Sequence, residues 1–308
     1  MPDLREVYAA PFSGRISFDD VEARIESIDL GDTPEAMRAA FARLIRGDVA
    51  GTPPPLATAG EIGGIEGLTV SPPDAEADGQ PPRVVWFHGG GYVFGSPETH
   101  ARAATALASR LGEPVFLPRY RLAPEHVWPA QLDDGLAVAR AVLDAGQSLT
   151  LVGDSAGGHL ALTVALALAE EGRAAAALAL FSPNTDRTGR SDTRQANTPR
   201  DPMNADEDDR ELADMTFGDR PDDHPEVSPL LDDLSLLPPT WVEVGDREVL
   251  LGDARLLAEV GRDARAEVAL HVEPGAFHMW QLWTPWLPAA DASLDRAAAF
   301  LRERLGPA

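Results

Sequence analysis

From about residue 83 onward, short and continuously apolar runs alternate with longer stretches whose apolar positions recur at helical spacing. The runs at 83–87, 114–120, 149–153, 177–182, 240–244 and 266–272 end near Gly, Pro or Asp, the punctuation of strands. Helices are predicted over 98–111, 130–145, 158–171, 250–262 and 291–305. Strict strand–helix alternation implies an α/β fold with a mostly parallel sheet covered by helices on both faces. Residues 60–70, where Ile62, Ile65, Leu68 and Val70 are punctuated by glycines, suit an edge hairpin better than a helix.

Two segments depart from this alternation. Within residues 1–50, Met37, Phe41, Leu44 and Ile45 form an amphipathic helical pattern opened by Asp32-Thr33-Pro34 and broken by Thr52-Pro53-Pro54-Pro55. Residues 184–226 form a polar, Asp- and Arg-rich excursion between two strands, too long for an ordinary connection and so either a functional lid or a disordered loop. The expected organisation is a catalytic domain over 51–308, with 1–50 and the inserted 184–226 meeting as a cap over the carboxyl ends of the strands. Residues 71–82 read as an exposed loop.

Composition removes several chemistries. There is no cysteine, which excludes disulfides, thiolate metal sites and cysteine nucleophiles. All 26 basic residues are arginine, so a Schiff-base or P-loop lysine is excluded too. A formal charge of −24 argues against nucleic acid or an anionic membrane as partner. The lysine-free, acidic balance fits either a GC-rich coding bias or adaptation to a salty interior. No apolar stretch approaches a bilayer span, and Met1-Pro2-Asp3-Leu4-Arg5-Glu6 has neither a basic n-region nor an apolar core, so a soluble cytoplasmic protein is expected.

The strongest chemical signal is Gly153-Asp154-Ser155-Ala156-Gly157-Gly158, placed between an apolar run and an apolar helix. A nucleophile on a strained strand-to-helix turn needs glycines beside it so that neighbouring backbone can pack closely, and Ser155 would project above the sheet. His88-Gly89-Gly90-Gly91-Tyr92 ends an earlier strand. Its unobstructed N–H groups suit a developing oxyanion, with the N–H of Ala156 as the other half of the pocket and His88 as a positioner of the loop.

A serine nucleophile needs a base. Of the seven histidines, His278 lies late in the chain after the last predicted strand, as the order serine, acid, histidine demands. His271 lies within that strand, His159 sits behind the nucleophile, His100 and His126 look like loop-structuring residues, and His224 lies in the acidic insertion. The acid should follow the strand at 240–244, where Asp246, Glu248 and Asp253 compete, and position alone does not choose between Asp246 and Glu248.

In combination these residues resemble the bacterial hormone-sensitive-lipase-like carboxylesterases, family IV of the α/β-hydrolase fold, over residues 60–305. The resemblance rests on His88–Tyr92, Tyr120-Arg121-Leu122-Ala123-Pro124-Glu125, the Gly153–Gly158 elbow, Val227-Ser228-Pro229-Leu230, the 245–253 stretch and His278, all in order. It implies Glu248 as the acid, because Glu248-Val249-Leu250-Leu251-Gly252-Asp253 occupies the family motif, although most members carry Asp there. It implies Gly90 and Gly91, with Gly89, and Ala156 as oxyanion donors, a helical cap, and pairing into a homodimer through the last strand and helix.

The reading is therefore a serine carboxylesterase without cofactor or metal, acting on small, short-acyl esters through Ser155, His278 and Glu248. An amidase or lactonase on the same site, or a ligand receptor on a decayed hydrolase fold, are the alternatives. Asp201-Pro202-Met203, Phe217 and the tryptophans Trp280, Trp283 and Trp286 are candidate pocket residues, the tryptophans better explained as one packed face.

Overall fold

In a computed structural model, residues 12, 14–46, 57–72 and 79–306 are described. The proline-rich break at 52–55 and the middle of the loop at 71–82 lie outside them. The chain forms helices α1 (Phe18–Glu26) and α2 (Pro34–Arg46), then strands β1 (Ala57–Ile62), β2 (Ile65–Val70) and β3 (Val84–Phe87). Next come α3 (Pro97–Leu111), β4 (Val115–Pro118), α4 (Ala130–Asp144), β5 (Thr150–Asp154), α5 (Ala156–Glu170) and β6 (Ala177–Phe181). The insertion carries α6 (Thr193–Asn197) and α7 (Asp206–Phe217), and β7 (Thr240–Gly245), α8 (Leu251–Asp263), β8 (Val268–Glu273) and α9 (Pro288–Leu305) complete the chain.

The eight strands make one sheet in the order β1-β2-β4-β3-β5-β6-β7-β8. Only β2 runs against its neighbours, and β3 to β8 are parallel. The predicted hairpin is present: Gly63 and Gly64 both take positive φ, the backbone that a two-residue turn between twisted strands requires. Successive residues of the buried strands feed opposite cores. Val85 and Phe87 join one with α4, α5 and α8, while Val84 and Trp86 join another with α3 and α9.

Capping explains the N-terminal helices. The side chain of Thr33 accepts the N–H of Ala36 ahead of Pro34, as the cap signal predicts. The hydrophobic pattern missed α1, which Ser17 and Asp20 open as a reciprocal capping box. Phe41 of α2 packs on Phe94 at 5.0 Å between ring centroids, and Arg38 donates to the carbonyls of Val93 and Ala123 and to Glu125.

The insertion is ordered despite its polarity because its charges are paired under it. The buried guanidinium of Arg194 donates to Asp209 and Asp253, each at 2.8 Å, and to Asn184 at 3.0 Å, while Arg187 reaches Asp209 at 2.9 Å. Asp253 also accepts the N–H groups of Thr185 and Asp186. These bonds tie α6 and α7 to the loop after β6 and to the first turn of α8. Arg247, between β7 and α8, pairs with Glu22 of α1 and donates to the carbonyl of Arg200 in the insertion. Among the described residues no helix is long and apolar enough to cross a membrane.

Removing Arg194 leaves the fully buried Asp253 without a cationic partner among the described residues, while Asp209 keeps Arg187. Arg194→Met should lower unfolding free energy by about 3–5 kcal/mol, read as a shift of the urea midpoint at pH 7. An unchanged midpoint would mean that the cluster does not hold the insertion.

Candidate active site

The elbow between β5 and α5 is a constrained point of the backbone. Ser155 takes φ 54° and ψ −120°, a conformation costly for a residue with a side chain. Its neighbours must be glycine for steric reasons: a Cβ on Gly153 would collide with the carbonyl of Gly157, and one on Gly157 with the carbonyl of Phe87. The strained turn lifts Ser155 to the carboxyl end of the sheet, where it remains 8% exposed.

Ser155 Oγ lies 2.8 Å from His278 Nε2, and Nδ1 of the same ring lies 3.0 Å from Glu248 Oε2. Glu248 is fully buried, and its other oxygen accepts the N–H of Gly245 at 2.6 Å and the hydroxyl of Ser182 at 2.8 Å. The other candidate acids are occupied elsewhere. Asp246 accepts the N–H of Gly275 and shapes the turn before His278, while Asp253 belongs to the Arg194 cluster. Burial lowers the basicity of the His278 imidazole, but the bond to Glu248 and the charges of Glu248, Asp201 and Asp154 outweigh it, leaving the pKa above the ordinary value.

The glycine run follows β3, the strand paired with β5. Among the described residues the N–H groups of Gly90, Gly91 and Ala156 make no hydrogen bond. Gly89, expected among the oxyanion donors, differs: its N–H is turned to Asp154 Oδ2 at 3.1 Å and is not free to receive an oxyanion. Asp154 is thus the organiser of the loop, also accepting Trp86 Nε1 at 2.8 Å and facing His100 Nε2 at 3.0 Å. Its position inside the Gly-Asp-Ser-Ala-Gly run was the available signal, but its partners come from other strands.

His88 stacks on Tyr120 at 4.3 Å, and the Tyr120 hydroxyl donates to its carbonyl at 2.6 Å, so the ring shapes the loop and does not face Ser155. His159 Nδ1 lies 2.6 Å from the Tyr92 hydroxyl, within an aromatic group that includes Trp128 and Phe217. Burial pushes both imidazoles down to about 3, helped by the charge of His100 beside His88 and of Arg187 near His159. Trp280 and Trp283 lie in a short 3₁₀ turn buried in the core with α3 and α9, and Trp286 is buried under the Arg102 guanidinium. Asp201 is buried and bonded to the backbone of Val249 and His278.

Two groups of described residues bring possible metal-ligand atoms within 4.8 Å of one another, Asp201/Glu248/His278 and Glu243/His271/Glu273. In the first, His278 Nδ1 is committed to Glu248. In the second, Arg296 already bridges both carboxylates, which opposes a cation there.

Both histidines are neutral in the fold, whereas the unfolded chain binds protons near the ordinary value of 6.5. Stability should therefore fall as pH drops below about 6.5, by roughly 1 kcal/mol per pH unit for each ring. In ¹H–¹⁵N spectra His88 and His159 should stay neutral at pH 5. Protonation of either at pH 6 in the folded protein would contradict this.

A family model described as the alpha/beta hydrolase fold matches residues 84–282. An acetyl-hydrolase of Streptomyces hygroscopicus is 34% identical over 75% of this chain and 78% of its own length. An esterase of Acinetobacter venetianus is also 34% identical, over 70% of this chain and 73% of its own. Among solved structures, an esterase from the bacterial hormone-sensitive lipase family superposes with a TM-score of 0.86 at 31% identity, covering 94% of this chain and 98% of that one. Motif order, sheet topology and these likenesses agree, and the chain belongs to the bacterial hormone-sensitive-lipase-like carboxylesterases of the α/β-hydrolase fold.

Proposed function

We propose that this carboxylesterase hydrolyses small, short-acyl esters through Ser155, His278 and Glu248. The observation that carries the reading is the continuous relay from Ser155 Oγ through both nitrogens of one imidazole to a buried carboxylate. Ser155 attacks the ester carbonyl as His278 Nε2 takes its proton. Glu248 holds the Nδ1–H tautomer and stabilises the imidazolium. The N–H groups of Gly90, Gly91 and Ala156 receive the oxyanion. His278 then protonates the leaving alkoxide, and it activates the water that releases the acid from the acyl-enzyme.

In this reading, small acyl groups are favoured by the side chain packed against the glycine run. The Leu212 side chain of α7 sits so close to Gly91 that a Cβ there would collide with it. The name of the Streptomyces relative, an acetyl-hydrolase, points the same way. We read α1, α2 and the insertion as one cap over the site, joined at Arg247.

On p-nitrophenyl acyl esters of graded length, turnover should be confined to short chains. Ser155→Ala should abolish it, Glu248→Gln should lower kcat by about 10²–10⁴-fold, and Asp246→Asn should stay within about threefold of wild type. Wild-type turnover by a folded Ser155→Ala protein would remove the assignment, and a larger loss in Asp246→Asn than in Glu248→Gln would reassign the acid.

A further inference from the structure

The insertion grips the acid loop from several directions. Asn197 Nδ2 donates to the carbonyl of Glu248 at 2.8 Å, and the Thr193 hydroxyl donates to the carbonyl of Val249 at 2.8 Å. Asp201, in the turn between α6 and α7, completes the grip and extends it to the base. Its Oδ2 accepts the N–H of Val249 at 3.3 Å, and its Oδ1 accepts the N–H of His278 at 3.3 Å. Oδ1 also accepts the N–H of Met203 at 3.1 Å, which closes the turn beneath the carboxylate.

One side chain from the insertion is therefore bonded to the backbone of both loops that carry the charge relay. Its position is an expensive one for a carboxylate. Asp201 is 6% exposed, and among the described residues no arginine lies within ion-pair distance of it. A neutral acceptor could satisfy the same N–H groups with a smaller desolvation cost, and the imidazolium formed at His278 during turnover is the adjacent positive charge.

We propose that Asp201 is a positioning residue for ester hydrolysis: from the insertion it sets the register of both the Glu248 and the His278 loops. This rests on the triad reading above. The groups facing its carboxylate are Glu248 and His278, with Arg247 farther off, and His278 is faced in turn by Ser155 and, farther off, Asp154. Burial and Glu248 push the Asp201 carboxyl upward, opposed by His278 and the backbone N–H groups. Its negative charge raises the His278 pKa, so loss of that charge should move the acid limb of kcat/KM to lower pH.

The test compares wild type, Asp201→Asn, Asp201→Glu and Ser155→Ala as full-length chains. It measures p-nitrophenyl acetate kinetics across pH and titrates His278 by ¹⁵N-histidine NMR. Asp201→Asn keeps the shape but presents one N–H with an amide donor. It should lower kcat by about 10–100-fold with KM nearly unchanged, and lower the NMR pKa of His278. Asp201→Glu keeps the charge but displaces it, and should lower kcat while leaving the His278 pKa near wild type. Wild-type kcat in either variant overturns the proposal, and Asp201→Glu carries the test if the Asn protein does not fold. Activity surviving Ser155→Ala would instead overturn the triad reading, and the NMR titration, which needs no turnover, separates the two failures.

Discussion

The site depends on one close approach: the elbow at Ser155 is pressed against the end of β3, with Gly157 touching the carbonyl of Phe87. A backbone held at φ 54° on a residue with a Cβ costs on the order of 1–3 kcal/mol and persists only because the apolar α5 and the parallel strands around it leave no alternative packing. That contact also sets the distance between Ser155 and the glycine run. Ser155 follows β5, the glycine run follows β3, and the two strands are neighbours paired from Val84–Thr150 to Phe87–Gly153.

Around this contact, buried carboxylates organise the loops. Asp154 takes the N–H of Gly89 and the indole of Trp86, Glu248 takes the N–H of Gly245 and the hydroxyl of Ser182, and Asp201 takes the N–H groups of Val249 and His278. Loops beyond the strand ends have no ladder to satisfy their amides, and a carboxylate can accept several at once with charge-assisted strength. The arrangement concentrates negative charge near one imidazole, which raises the proton affinity of His278. The same economy holds the insertion, where Arg194 and Arg187 neutralise Asp209 and Asp253 out of reach of solvent. An acidic, lysine-free chain thus spends some of its few cations inside the fold.

Strand and helix positions, the strand-to-helix elbow, the glycine run and the place of His278 after the last strand were legible in the chain because each is a local pattern. An apolar run of strand length, a Gly-x-Ser-x-Gly turn and a histidine after the last strand state their geometry through spacing alone. The hairpin at Gly63-Gly64 and the cap of α2 belong to the same class. The first helix escaped because its amphipathic face is short, although Ser17 and Asp20 carried a readable capping box.

What only the tertiary structure decided was which of several similar groups meet. Asp246, Glu248 and Asp253 share one loop and its following helix, and the choice among them depends on His278 arriving from another strand, so that Nδ1 meets Glu248 while Asp246 turns to Gly275. Gly89, Gly90 and Gly91 are equivalent in the sequence, yet Asp154 claims the first N–H and leaves the other two free. The ordering of the insertion and the grip of Asp201 are likewise sums of contacts between residues far apart in the chain. Local patterns encode backbone shape, whereas the assignment of one polar group to another depends on distances of about 3 Å that only packing of distant segments defines.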